Sequence, residues 1–227
     1  MLDPVEEAKF AELRDKCREL GVPSVPEVFI GLKVHDKNNI LTFEDIQRGH
    51  SWTRNYYNLL ALRMSSAPRD ASPFGAGYIN GKRFNGNVDI NYWGSIVSYG
   101  LFVAAAAELR GGIVCGTSDA AFSAEQYDLG ALIAQGTDAG QMSYQALVIT
   151  KSYDAASKTL KVILTRILNN NSGSAIVIKE TGLRTRYENS DYYYLVERSV
   201  LSPSVPVANG AQLTVTYEIT MDFSAID

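Results

Sequence analysis

The sequence predicts a mainly β protein, an antiparallel β-sandwich of jelly-roll or immunoglobulin-like type with an N-terminal helix and arm. The first observation is the strict alternation of apolar and polar side chains in residues 212–223, QLTVTYEITMDF. Successive side chains of a strand point to opposite faces, so this segment needs partner strands and a second layer over its apolar row. The second observation is a series of strand-like runs, separated by clusters of turn residues, that fills the chain from residue 142 onward. Such regular spacing is typical of a sandwich.

We predict that the chain is divided into three parts. They are an N-terminal helical arm at residues 1–24, a hairpin, aromatic helix and glycine-rich excursion joined to the sheet domain at residues 25–110, and the β-sandwich core at residues 111–227. A chain of 227 residues is long enough for one large all-β domain with an N-terminal extension.

Residues 3–20 predict an amphipathic helix. Asp3 can cap it, Pro4 suits its first position, and Gly21 ends it. Its apolar stripe is narrow and consists of Val5, Phe10, Leu13, Cys17 and Leu20. Because so narrow a stripe buries too little surface to hold a helix alone, we expect it to dock on the protein's own sheet or on a neighbouring subunit, and we favour the neighbour.

The next region predicts a hairpin and a second helix. Residues 24–34 and 40–43 form the two predicted strands, with turn residues between them. Residues 48–64, RGHSWTRNYYNLLALRM, predict a helix capped by Ser51, with one aromatic face. Residues 67–87 are rich in Gly, Pro, Ser and Asn, and they predict a long surface excursion or a glycine-broken hairpin.

The remaining chain predicts the strands of the sandwich. The predicted elements are short strands within 88–103, a buried strand at 111–117, a short helix or irregular arm within 119–140, strands at 143–153, 159–168, 175–183 and 192–200, a turn at 188–191, and a proline bend at 203–206. From the alternation we predict a core that includes Val148, Val162, Leu164, Ile176, Ile178, Leu213, Val215, Tyr217 and Ile219.

Candidate catalytic residues are few. His35 lies beside Asp36, an arrangement that suits a general base, and His50 is the second of the two histidines. Neither lies in a nucleophile motif, so we assign no catalytic role to them. Ser95 and Ser172 lie next to glycines but not in a nucleophile elbow. We therefore expect the protein not to be an enzyme.

Candidate metal ligands are equally sparse. Asp119, Glu125 and Asp128 supply too few oxygens for a calcium ion, which takes about six to eight. Nothing in the spacing pairs the three later carboxylates, Glu180, Glu188 and Glu197. Two distant cysteines do not form a zinc-site pattern or a disulfide framework. We expect no metal and no cofactor.

Charge and hydropathy limit the partners that we expect. The formal net charge of −4 disfavours binding to nucleic acid, which needs a basic surface to displace counterions from phosphates. The charged N-terminus does not resemble a signal peptide, and the longest apolar run, at residues 101–109, is too short to span a bilayer. These features predict synthesis in a reducing cytoplasm and no association with membranes.

Aromatic residues and one leucine are the candidate contacts with a partner. Tyr187 and Tyr192 to Tyr194 cluster near a predicted turn, where they could bind sugar, contact a protein or simply pack in the sandwich. The full set of candidate contact residues is Phe10, Leu13, Trp52, Tyr56, Tyr192 and Tyr193.

Three stretches of the chain carry a family resemblance. They are SWTRNYYNLL at 51–60, GIVCGTSDAAFSAEQYDLGALIAQGTDAGQMSY at 112–144, and ILNNNSGSAIVIKETGL at 167–183 followed by LVERSVLSPSVPVANGAQLTVTYEI at 195–219. In order and spacing they resemble a group of tailed-bacteriophage virion structural proteins, of the capsid decoration, cement or minor virion kind. The resemblance covers most of residues 50–220, and its motifs are turn and strand patterns without chemistry.

The resemblance implies a non-enzymatic virion protein that is made in the host cytoplasm. It would bind the capsid surface as a cement or decoration protein, with the major capsid protein or other virion proteins as partners, and it would form a homo-oligomer. The alternatives are a tail or head–tail neck component, a carbohydrate-binding β-sandwich module, and a hydrolase on a sandwich scaffold. A sugar-binding module would show coplanar exposed aromatic rings, and a hydrolase would need paired carboxylates or a metal site in a cleft.

Overall fold

Antiparallel β-sheets and an N-terminal helix form the part of the chain that the computed structural model describes. The described residues are 2–22, 26–49, 51–57, 80–83, 86–89, 102–186 and 193–224, with the backbone alone described at 80–83 and 86–89. The elements are α1 (Pro4–Glu19), β1 (Glu27–His35), β2 (Leu41–Gly49), β3 (Asn80–Arg83), β4 (Gly86–Asp89), β5 (Gly112–Gly116), β6 (Ser143–Tyr144), β7 (Val148–Asp154), β8 (Thr159–Asn169), β9 (Ile176–Arg186), β10 (Tyr193–Val207) and β11 (Gln212–Asp222).

The alternating strand, β11, lies inside the first sheet. The strand order of this sheet is β2-β1-β11-β8, and both β6 and β7 pair with the far edge of β8. Its pairings are antiparallel. On β11, Leu213, Val215, Tyr217 and Ile219 are buried, and the polar residues between them are half-buried on the opposite face. The first sheet therefore has an inner face in the core and an outer face.

The second sheet, with the order β10-β9-β5, packs on the inner face of the first. Apolar side chains from both sheets form one core cluster, in which Cys115 of β5, Ile178 of β9 and Val215 of β11 are fully buried. The prediction of a mainly β antiparallel sandwich with an N-terminal helix is confirmed. Its jelly-roll or immunoglobulin-like type stays a prediction.

Residues 119–140 form an irregular arm on the second sheet, which confirms one of the two conformations predicted for them. Isolated bridges join Gly116 to Leu132 and Gln135 to Met142. Val114, Leu129 and Leu195 form a small apolar cluster apart from the main core. This cluster joins the arm to β5 and β10, so part of the second sheet is covered on both faces. Leu109 and Leu132 pack against this cluster.

The predicted N-terminal hairpin is confirmed, but its second strand is longer than predicted. β2 extends to Gly49, so the prediction that placed Arg48 and Gly49 in the helical segment 48–64 is wrong. Arg48 lies opposite Phe29 of β1, and this pairing continues the sheet. Residues 51–53 are described but not helical, since Trp52 forms a bridge with Glu197 and the helical residues begin at 54, so the predicted cap at Ser51 is wrong. Residues 54–57 are helical, and residue 50 and residues 58–64 of the predicted helix lie outside the described residues.

The glycine-rich region is described only in part. Within the excursion predicted at residues 67–87, β3 and β4 form an antiparallel pair. The rest of that excursion, most of the strand runs predicted within 88–103, and the turn predicted at 188–191 lie outside the described residues.

Two predictions about the later strands are wrong. The strand predicted at residues 143–153 is divided into β6 and β7, because the N–H of Leu147 donates to Ala104 O instead of to β8. Pro203 and Pro206 do not bend the chain out of the sheet, since β10 continues to Val207. A shift in the β10–β9 register between residues 200 and 205 accommodates Pro203, whereas Pro206 lies beyond the shift and is opposite Val177 of β9.

The predicted core is confirmed except at its edge. The confirmed buried residues are Leu164, Ile176, Ile178, Leu213, Val215, Tyr217 and Ile219. Val162 is half-buried and packs against the core cluster. The prediction is wrong for Val148, which is 59% exposed because β7 is an edge strand whose seven residues are all exposed.

The N-terminal helix has the predicted ends. Asp3 Oδ1 accepts a hydrogen bond from the Val5 N–H at 2.9 Å, and Pro4 occupies the first turn. After the helix, Gly21 has a φ of 63°, a left-handed conformation that glycine adopts at little cost. Among the described residues, no helix has the length and apolar content needed to cross a membrane.

Candidate functional site

Phe10, a predicted partner contact, lies in a clamp that holds α1 on the first sheet. The Arg48 guanidinium carbon is 3.9 Å from the centre of the Phe10 ring and 4.6 Å from that of Phe29. Arg48 donates to Glu7 Oε1 at 2.9 and 2.5 Å, and to Glu27 Oε2 at 2.6 Å. The guanidinium is therefore a buried cation enclosed by two aromatic rings and two carboxylates.

The helix is held mainly by charge. Burial lowers the pKa of Arg48, but hydrogen bonds to Glu27 and Glu7 outweigh burial, and the pKa is raised overall. Arg14 Nη1 adds a second cation on Glu27, at 2.7 Å from Oε1. No residue of α1 is fully buried, and Leu13, another predicted contact, is 39% exposed. The helix thus contacts its own sheet, and the further expectation of contact with a neighbouring subunit stays a prediction.

Trp52 and Tyr56 form a stacked pair that packs against the sandwich core. Their ring centres are 4.1 Å apart, and Tyr57 meets Tyr56 edge-on at 5.4 Å. Trp52 forms an isolated bridge with Glu197 of β10, and Thr53 Oγ1 donates to Leu195 O at 2.6 Å. Both predicted contact residues therefore secure the 51–57 segment to β10. They do not form the exposed coplanar platform expected of a sugar-binding module.

Tyr193 belongs to a charged cluster within the chain. Its ring centre is 4.2 Å from the Arg184 guanidinium carbon, and its hydroxyl donates to Asp128 Oδ2 at 3.2 Å. Arg184 also forms a close ion pair with Asp128 Oδ1 and donates to Leu109 O at 2.7 Å. The neighbouring candidate, Tyr192, lies outside the described residues.

The three carboxylates considered as calcium ligands do not converge. Asp119 pairs with Lys179 at 2.7 Å, and Glu125 pairs with Arg54 at 3.1 Å, whereas Asp128 pairs with Arg184. Each carboxylate thus has a separate cation. In the described part of the chain, no group of three or more His, Cys, Asp or Glu side chains has a geometry suited to a metal ion.

The two histidines do not define a common site. His35 ends β1 and lies opposite Gln212 and Leu41 in the sheet. His50 lies outside the described residues.

Glu180 and Arg198 form a buried ion pair that sequence reasoning did not find. Arg198 Nε donates to Glu180 Oε2 at 2.6 Å, and both side chains are fully buried. Glu180 also accepts from the N–H groups of Gly130 and Ala131, at 3.1 and 2.8 Å. Arg198 Nη2 donates to Ala120 O at 2.8 Å. The pair therefore fixes the irregular arm at residues 119–140 to the second sheet.

Glu197, the residue before Arg198, lies in a second buried polar group. Its Oε2 accepts from the Tyr217 hydroxyl at 2.8 Å, and its Oε1 accepts a short hydrogen bond from Ser199 Oγ. The Tyr217 and Thr181 hydroxyls are 2.6 Å apart. Burial raises the pKa of Glu197 to about 7, although the two hydrogen bonds and the charge of Arg198 act in the opposite direction.

The buried carboxyl groups of Glu180 and Glu197 differ in their partners. Glu180 is neutralised by a cation, whereas Glu197 has hydroxyl partners and a raised pKa. Glu197 is fully buried, so the geometry gives it no route to a bound substrate. The signal for both groups was the sequence YYLVERSVL, because adjacent charged residues inside a strand with apolar neighbours indicate burial on both faces.

The outer face of the first sheet carries both apolar and hydroxyl side chains. We define this outer face by Gly31, Ile46, Ile163, Thr165, Ile167, Thr214 and Thr216, which are half-buried or exposed on the side opposite the core. Its neighbouring charges are paired, since Lys33 lies 2.8 Å from Glu44 and Lys161 lies 2.6 Å from Glu218. The clamp places α1 over one end of this face.

β7 forms one edge of the same sheet. It pairs with β8 from Val148 opposite Thr165 to Asp154 opposite Thr159, and no second strand among the described residues pairs with it. Three of its exposed side chains are large and apolar: Val148, Ile149 and Tyr153. An exposed strand edge offers unpaired backbone donors and acceptors as well as these side chains.

The fold and these surfaces define a mainly β, antiparallel sandwich protein with exposed sheet surfaces. Comparisons with protein-family models, with curated proteins and with solved structures found no match to the chain.

Proposed function

We propose that the protein is a non-enzymatic structural component of a tailed-bacteriophage virion, which binds the capsid surface as a cement or decoration protein. The observation that carries the proposal is the outer face of the first sheet, together with the three stretches that resemble virion proteins. Protein interfaces are depleted of charged residues at their centres and pack with high shape complementarity. The apolar and hydroxyl side chains that define the outer face suit such a centre, and the charges around them are paired, Lys33 with Glu44 and Lys161 with Glu218.

The internal ion pairs support a scaffold role. The Arg48 clamp attaches α1 to the first sheet, and the Glu180–Arg198 pair attaches the arm to the second sheet. Buried ion pairs add little net stability in general, and we infer that these two serve to hold the attached segments in place. A sandwich with such attached surface segments suits a protein that lies across neighbouring subunits of a shell.

The partners that we propose are the major capsid protein, other virion proteins and further copies of this chain. Among the predicted contact residues, Phe10, Trp52, Tyr56 and Tyr193 already have partners within the chain. Leu13 remains accessible on α1. We therefore centre the capsid contact on the outer face, with the exposed side of α1 at its border.

The experiment uses particles of a phage whose genome encodes the chain. Peptide mass spectrometry of density-purified particles measures whether the protein is present and in how many copies. Immunogold labelling then distinguishes the capsid from the tail and neck. Peptides in the particles and gold on the capsid are the expected results. A protein that is abundant in infected cells but missing from particles contradicts the proposal, and gold confined to the tail contradicts the capsid position.

A matched pair of variants tests the surface. Thr216→Arg places an unpaired charge at the centre of the outer face, and Val177→Arg places the same charge at an exposed position of β9 in the other sheet. We expect recombinant Thr216→Arg to lose binding to particles that lack the protein, whereas Val177→Arg binds like the wild type. Both variants should retain the wild-type melting temperature. Equal binding by the two variants would exclude the outer face as the contact.

A further inference from the structure

We propose that two copies of this chain associate edge to edge through β7, so that their first sheets form one continuous sheet. This inference does not depend on the proposed function, because it concerns the isolated protein. The starting observation is the exposure of β7 on both faces, with Tyr153 58% and Ile149 40% exposed on the inner side. Antiparallel addition of a strand would satisfy the backbone groups on the open edge.

The sequence of β7, VITKSYD, restricts the possible two-fold registers. A register centred on Lys151 places the two copies of this lysine opposite each other, and opposed like charges destabilise a strand pair. Tyr153 lies two positions along the strand, on the same face as Lys151. A register centred on Ser152 therefore avoids the repulsion and places each Lys151 opposite the Tyr153 of the other copy.

The register centred on Ser152 is electrostatically complementary. It forms two Lys151–Tyr153 pairs, in which the ammonium group can lie on the electron-rich ring and the lysine stem can pack against it. It also places Thr150 opposite Asp154, which supplies a hydroxyl donor to a carboxylate acceptor. A register centred on Thr150 would instead place Lys151 opposite Ile149 and Tyr153 opposite Leu147, so that it forms no Lys151–Tyr153 pair. These differences favour Ser152 as the centre.

The proposed pairing keeps both outer faces on one side of the joined sheet. Directly opposed residues of paired strands share a face, and each pair in this register joins residues of the same face. Thr150, Ser152 and Asp154 belong to the outer side of β7, since Thr150 and Ser152 lie opposite Ile163 and Lys161 of β8. Two copies would thus present a doubled outer face.

The first experiment measures the mass of the purified full chain in solution. Sedimentation equilibrium over a range of concentrations is expected to show a reversible dimer. Tyr153→Lys opposes lysines at two positions, and we expect it to weaken the dimer by about ten-fold or more. The control Val177→Lys, at an exposed apolar position on β9, should leave the dimer unchanged. A wild-type protein that stays monomeric at its highest soluble concentration overturns the proposal, as does equal weakening by both variants.

The second experiment tests the register by cross-linking in a Cys17→Ser background, with buried Cys115 left in place. Ser152→Cys places the two thiols on directly opposed residues, whose Cβ atoms lie about 4.5–5.5 Å apart. Lys151→Cys is the control, because its two copies are displaced by about 7 Å along the strand. We expect oxidation to yield a disulfide-linked dimer of Ser152→Cys only. Cross-linking of Lys151→Cys in preference to Ser152→Cys overturns the register.

Discussion

Replacement of Glu197 by glutamine should stabilise the protein at alkaline pH. Glu197 is fully buried, and its carboxylate oxygens accept hydrogen bonds from Tyr217 and Ser199. Glutamine has nearly the same shape and keeps one oxygen acceptor, but it has no charge to bury. The substitution therefore separates the cost of ionising the carboxyl group from the cost of losing its packing.

The expected magnitude follows from the raised pKa of Glu197. Burial moves this pKa from 4.5 to about 7. A carboxyl group whose pKa is higher in the folded state contributes stability that is complete below pH 4.5 and is lost as the pH rises through 7. The difference corresponds to about 3 kcal/mol, since one pKa unit is about 1.4 kcal/mol. Glu197→Gln does not lose this contribution.

The assay is chemical denaturation of both proteins at pH 4, 6 and 8, followed by circular dichroism. The free energy of unfolding of Glu197→Gln, relative to that of the wild type, should increase by about 3 kcal/mol between pH 4 and pH 8, because only the wild type loses stability over this range. The control is Glu180→Gln, which leaves the buried Arg198 without its carboxylate and should destabilise by about 3–5 kcal/mol. A Glu197→Gln difference that is the same at pH 4 and pH 8 would refute the reasoning.

The remaining predictions concern stability and the N-terminal helix. Val215→Asp should abolish cooperative unfolding, because an unpaired buried carboxylate costs several kcal/mol against a total of about 5–15; a soluble mutant with a cooperative melt would contradict this. Glu108→Gln should cost about 1–2 kcal/mol at neutral pH, an effect lost as the pH falls from 4.5 towards 2, since hydrogen bonds from Arg110 lower the pKa of Glu108 to about 2. Arg48→Met should release α1, which limited proteolysis would detect as faster cleavage near residue 22, whereas Lys16→Met should not change the rate. Deletion of residues 1–22 should lower particle occupancy or change the solution mass, and unchanged values of both would show that α1 is dispensable for assembly.

Local alternation predicted the centre of the sandwich well. β11 alternates because one of its faces is buried along most of its length, so its sequence directly indicates which side chains are buried. The same logic failed for Val148, which lies in an alternating segment that the structure exposes on both faces. Whether a second layer reaches an edge strand depends on the number of strands in that layer, and a single strand does not encode this number.

The candidate contacts show a second limit of sequence reasoning. Phe10 belongs to the narrow apolar stripe of the helix, and Tyr193 belongs to a tyrosine cluster near a predicted turn, which made both residues plausible contacts for another protein. Their rings instead lie against Arg48 and Arg184. Such cation–aromatic contacts join distant parts of the chain, and neither hydrophobic periodicity nor turn chemistry predicts which arginine will meet which ring.

The buried charged residues explain why the second sheet is covered by the arm, whereas the outer face of the first sheet is covered only at one end. Glu197 and Arg198 are neighbours on β10, yet one bonds into the sandwich and the other bonds to the arm. β10 is therefore covered on both faces, and the arm acts as a third layer over the second sheet. On the first sheet, the charge clamp of Arg48 attaches α1 at one end of the outer face. The buried charged groups thus hold the arm over the second sheet and α1 over one end of the first. The remainder of the outer face and the β7 edge stay accessible, and we expect the protein to assemble through them.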